Sequence, residues 1–131
     1  MQDVKRYQRG DSRFVQAQRV WLILTGRSVW IRETLTYGDL AEIMGYSRQA
    51  GVTLSTPLGI VGKFCLAQDI PSLVSLVVRG DTGEPGPGVI FSPKRTLNAE
   101  QRLVLGFDWY SVRVPSTKML REAWSKLDND D

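Results

Sequence analysis

At 131 residues, 42% hydrophobic and 24% charged, the chain is long enough for one domain with a sizeable core and has an ordinary globular composition. It has no histidine and one cysteine, Cys65, which excludes Ser-His, Cys-His and His-metal chemistry and any internal disulfide. No cofactor or metal is implied, and a cytoplasmic setting suits the chain.

The net charge of +3 is mild but uneven. Residues 1–32 hold Lys5, Arg6, Arg9, Arg13, Arg19, Arg27 and Arg32 against Asp3 and Asp11, a local +5, while the tail Asp128-Asn129-Asp130-Asp131 is acidic. A basic N-terminal segment can rest on a phosphate backbone, or it can simply be a solvated tail and helix face. No stretch approaches the roughly 20 apolar residues of a membrane helix. The run Val20 to Leu24 is also too short for a signal-peptide core.

Residues 1–11 are polar and without periodicity, which predicts a flexible basic arm ahead of a single domain over 12–131. Ser12 is placed to cap a helix from Arg13, whose stripe is Phe14, Ala17, Trp21 and Leu24, with Gly26 as the stop. Val29, Trp30 and Ile31 extend the apolar surface as a turn or short strand. Thr36 caps the next helix, with Asp39 three residues on, Leu40, Ala41 and Met44 inward and Gly45 at the end. Ser47 to Thr56 reads as a connector. Pro57 then opens a third helix with Leu58, Val61 and Cys65 on its apolar side, ending near Asp69 before Pro71.

The Val-rich run Leu73 to Val78 predicts a buried strand, and Gly80 to Gly88 a Gly/Pro loop. Val89-Ile90-Phe91 is then the returning strand of a wing. Asn98 is expected to cap a helix through about Leu105. Trp109 to Val114 is extended or irregular, with Trp109-Tyr110 against the core. Ser116 caps a last helix whose inner face is Met119, Leu120, Ala123, Trp124 and Leu127.

Helix, helix, strand and wing make a winged helix-turn-helix order, an α+β fold class with extra N- and C-terminal helices. Over about residues 35–90 this resembles the DNA-binding half of O6-alkylguanine-DNA alkyltransferases and alkyltransferase-like proteins. Thr36-Tyr37-Gly38-Asp39-Leu40-Ala41 carries the likeness, and Val61-Gly62 matches a pair in that family's recognition helix. The resemblance implies that Tyr37 faces the DNA; its residue-level alternative is a staple for the helix start. The glycine at 62 lets the helix approach another backbone closely. Val74 and Ser75 stand where the family has its nucleophilic Cys and its His, and Leu66 stands near the place of its Arg. The resemblance therefore implies the shape without alkyl transfer. A closer likeness is to small bacterial proteins sharing Tyr37-Gly38-Asp39-Leu40-Ala41, Pro57-Leu58-Gly59, Ile70-Pro71-Ser72-Leu73, Val77-Val78 and the Thr82 to Gly88 loop.

The expected function is non-enzymatic binding of double-stranded DNA, with contacts from Tyr37, Arg48, Lys63, Arg79, Lys94 and Arg95. The alternative is a protein-interaction module with no nucleic-acid role. Cys65 falls at core spacing rather than as a nucleophile. The Thr82 to Gly88 loop lacks the Lys-Ser/Thr ending and following helix of a phosphate cradle. Glu100, Asp108 and Glu122 are too scattered for a carboxylate pair.

Overall fold

The computed structural model describes residues 3–128, with side chains to Lys126; the acidic tail and the Leu127 side chain lie outside the described set. The fold is a helix-rich α+β domain that has, among the described residues, five α-helices and one two-stranded parallel sheet.

Helix α1 spans Arg13–Ile23, and the Ser12 hydroxyl accepts the Val15 N–H at its start. Phe14, Ala17, Trp21 and Leu24 are buried, as their spacing predicts, and Val20 is buried with them. Gly26 does not stop the helix. The chain continues through a π-helical turn, Leu24–Val29, and the left-handed conformation that ends the run falls on Arg32 at φ 60°. Leu24, Thr25 and Ser28 are buried along this turn, and the Thr25 hydroxyl donates back to the Trp21 carbonyl at 2.9 Å. A glycine ends a helix only where the backbone turns left-handed, and Gly26 stays within the helical run.

Strand β1 is Leu35–Thr36, and α2 follows directly over Tyr37–Ile43. Thr36 caps it by accepting the Asp39 N–H at 3.1 Å, and Leu40, Ala41 and Met44 are buried. Gly45, at φ 85°, ends α2, with the Tyr46 N–H bonded back to the Ala41 carbonyl. The segment expected as a connector is helical. A 3-10 turn, Arg48–Leu54, runs without a break into α3, Ser55–Ala67. The small residues are there for proximity: a Cβ on Gly51 would lie 2.8 Å from the Tyr37 carbonyl carbon.

Helix α3 is the centre of the molecule, packed between α1 and α5. Pro57, Leu58, Gly59, Ile60, Val61, Gly62, Phe64 and Cys65 are all buried along it. Residues Arg48–Ala67 are long and apolar enough to cross a membrane, but most of this helix is inside the fold. Gly62 admits a neighbouring backbone as anticipated, since a Cβ there would sit 3.0 Å from the Ile90 carbonyl oxygen. The helix ends at Asp69, left-handed at φ 55°, with the Ile70 N–H bonded to the Cys65 carbonyl.

The buried strand expected over Leu73 to Val78 is mostly something else. Leu73–Leu76 forms a 3-10 turn, and only Val77–Val78 is strand, β2. It pairs in parallel with β1, Leu35 opposite Val77 and Thr36 opposite Val78. A continuous apolar run has no alternation to distinguish strand from helical turn, and burial on every side suits both. The wing strand is also absent: among the described residues, Val89-Ile90-Phe91 has no ladder partner. The Ile90 carbonyl instead accepts from the Ser72 hydroxyl and lies over Gly62.

Helix α4 covers Leu97–Gly106, and its cap is Thr96 rather than Asn98, because Thr96 is the residue with extended backbone. A 3-10 turn over Trp109–Ser111 buries Trp109, whose Nε1 donates to the Val104 carbonyl at 2.7 Å. Tyr110 points outward and is 63% exposed, not packed into the core. Ser116 caps α5, Thr117–Asp128, by accepting the Met119 N–H. Leu120 and Ala123 face inward, whereas Met119 is 44% exposed. At the core, Trp21 meets the rings of Phe64 and Trp109 edge-on, with centroids 5.8 and 5.5 Å away.

Candidate functional site

Tyr37 is the first residue of α2, and its half-buried ring is held by the Gly/Pro loop. Its hydroxyl donates to the Pro87 carbonyl at 2.8 Å. A Cβ on Gly86 would come within 2.8 Å of that hydroxyl, so the loop closes on the ring only because residue 86 is glycine. Burial raises the Tyr37 pKa, while the backbone at Gly86 and the charge of Arg79 pull it down. The same ring walls a cleft of about 470 Å³ with Val52, Arg79, Gly80, Asp81 and Pro87. Tyr37 is thus both loop anchor and cleft wall, and Arg79 shares the cleft with it.

The other expected contacts are dispersed, and several are occupied. Arg48 packs over Gly38 and makes ion pairs with Asp39 at 2.6 Å and Glu42 at 2.7 Å. Hydrogen bonding to Arg48 lowers the Asp39 pKa first of all, and the same bond to Asp39 raises that of Arg48. Arg79 lies 3.4 Å from Asp81, both well exposed. Lys63 places its ammonium 4.2 Å from the Trp124 ring centroid, at the seam of α3 and α5. The Lys94 side chain is exposed at the approach to α4.

Arg95 is half of an ion pair with a buried carboxylate, its own side chain partly exposed. Its Nε and a terminal nitrogen reach Glu100 at 3.2 and 3.1 Å. Glu100 is fully buried and also accepts the N–H groups of Ser72 at 3.1 Å and Ser92 at 3.2 Å. The scattered carboxylate of the sequence is therefore a clasp joining three segments. Likewise α3 has no open face to lay in a groove: only Ser55, Thr56, Lys63, Leu66 and Ala67 are not buried along it.

A different set of cations is brought together around the N-terminal half of α1. The Arg9 guanidinium lies 5.2 Å from the Tyr46 ring centroid, and Arg19 lies 5.2 Å from Tyr7. Arg13 sits between Phe14 at 5.1 Å and Trp124 at 5.6 Å, while Arg121 covers Phe14 at 4.7 Å. Lys5 and Arg6 line a shallow cleft with Tyr7, Asp11 and Val15. Among the described residues, none of these six cations is in an ion pair. A guanidinium on a ring is positioned yet keeps its charge and its edge N–H donors, whereas one between carboxylates projects little field. The +5 of residues 1–32 signals most of this collar; Tyr7 and Phe14 lie in the same segment, whereas Tyr46, Trp124 and Arg121 are brought in from elsewhere and cannot be read locally.

Cys65 is wholly buried, and burial pushes its thiol up to about 12. At neutral pH it is a small core side chain without thiolate character. No family model, curated protein or solved structure matches the chain.

Proposed function

We propose that this chain is a non-enzymatic protein that binds the phosphate backbone of duplex DNA. The contacts come from the collar of Lys5, Arg6, Arg9, Arg13, Arg19 and Arg121. One observation carries the reading: Arg9, Arg13, Arg19 and Arg121 are stacked on aromatic rings without a carboxylate partner, whereas Arg48, Arg79 and Arg95 each have one. Backbone recognition depends on cations that can exchange counterions for phosphates. The α2, 3-10, α3, β2 and glycine-loop order supports a winged-helix ancestry in which the wing is a loop. Docking is then by the edge of the domain, with no recognition helix in the groove.

A duplex titration at two salt concentrations tests this. Binding should weaken steeply with salt. Arg19→Glu should cost about ten-fold or more at low salt, while Arg48→Glu leaves affinity within about two-fold. Equal losses for the two variants, or no binding at low salt, would refute the collar.

A second reading, a protein-interaction module, is favoured by the Tyr37 cleft, where Val52 is 81% exposed beside Pro87.

A further inference from the structure

The collar continues along α1 into an aromatic strip that duplex binding does not use. Gln18, Leu22 and Thr25 fall on one stripe of the helix. The segment after the 109–111 turn runs back along it: the Tyr110 hydroxyl donates to the Thr25 carbonyl at 2.7 Å, and Gln18 Nε2 donates to the Pro115 carbonyl at 3.1 Å. Leu22 lies between these anchors and is 51% exposed, with Val114 at 55%. At the far end Trp30, 72% exposed, meets Tyr110 edge-to-face with ring centroids 6.4 Å apart. Arg19, with Tyr7 on it, is one turn from Leu22, and Trp30 is about 16 Å further along the helix from Arg19 at its usual rise.

Arg32 and Arg113 border the strip, exposed and in no ion pair among the described residues, with Glu33 and Asp108 nearby in the chain, and Arg19 of the collar stands at its other end. Arg32 is held to the Leu105 carbonyl at 3.0 Å. Aromatic rings held open to solvent and bordered by guanidinium groups suit unpaired nucleobases, each of which has a face to stack and a phosphate to neutralise.

The geometry points to Trp30 and Tyr110 as a stacking platform for single-stranded nucleic acid, continuous with the phosphate-binding collar and resting on that reading. Leu22 and Val114 supply apolar contact for sugars and base edges.

The probes are a 12-nucleotide oligothymidylate and a blunt 12-base-pair duplex, each titrated at low salt. Trp30→Leu keeps an apolar surface but removes the stacking ring. It should weaken oligothymidylate binding roughly ten-fold, leave the duplex unchanged, and be rescued by Trp30→Phe. Oligothymidylate should also quench tryptophan emission in the native protein and lose most of that quenching in Trp30→Leu. Trp30→Leu binding both probes like the native protein would overturn the platform and leave the strip to a protein partner; equal loss on both would overturn it as well. If neither probe binds at low salt, the collar fails and the platform with it. Oligothymidylate binding without duplex binding would sink the duplex assignment alone.

Discussion

At the scale of single residues, the glycines divide sharply by what surrounds them. Gly88 has φ 86°, and a Cβ there would overlap the Ser55 carbonyl at the start of α3. Both backbone strain and steric overlap oppose any side chain, and the overlap is with backbone, which cannot swing aside. Gly26 lies within the helical run, and a Cβ there would have nothing within 4 Å. We therefore expect Gly88→Ala to destabilise by about 3 kcal/mol or more, and Gly26→Ala to be neutral or stabilising by up to about 1 kcal/mol. Urea unfolding of the two variants measures the contrast. A mild Gly88→Ala would mean that the loop can leave α3, and the walls of the Tyr37 cleft with it. Nothing in the sequence separates the two positions, where both look like punctuation. The difference lies in one φ angle and one long-range neighbour.

At the scale of elements, what can be read from the chain is what a few adjacent residues decide. Ser12, Thr36 and Ser116 each cap the helix they precede, because a cap requires only one hydroxyl and an N–H three residues on. The 73–78 and 89–91 segments depart from their expected strands because their backbone partners are remote. Ser72 bonds to Ile90 and to Glu100, and no local pattern announces either. Of the six expected contact residues, Tyr37 and Arg79 share a cleft, whereas Arg95 is drawn away by the buried Glu100. That carboxylate gathers the N–H groups of Ser72 and Ser92 and the Arg95 guanidinium, tying α4 to the segments before it. Glu100→Gln preserves the shape but replaces one acceptor oxygen with an NH2 group facing donors. Breaking such a buried cluster costs about 3 kcal/mol, the low end of the range because Arg95 remains partly in water. Chemical denaturation reads this directly. A loss under about 0.5 kcal/mol would show that the clasp is not what holds α4 in place.

At the scale of the whole molecule, the net charge of +3 hides how the charge is distributed. Carboxylates flank Arg48, Arg79 and Arg95, so those cations add little to the far field, and the α1 collar is the densest group of cations without an ion pair among the described residues. Counterion release converts that distribution into a measurable slope. Each phosphate neutralised contributes about −0.9 to the change of log K with log salt, so a duplex engaging the six collar cations should show a slope near −5. Neutralising one collar residue, as in Arg13→Gln, should make that slope shallower by about one unit, because one fewer phosphate is paired. Arg79→Gln, already balanced by Asp81, should leave it unchanged. The slope is a stricter measurement than affinity, since a misfolded or generally weakened variant loses binding at every salt concentration in parallel. A shallower line for Arg79→Gln with an unaltered one for Arg13→Gln would relocate the interface from the α1 collar to the Tyr37 cleft.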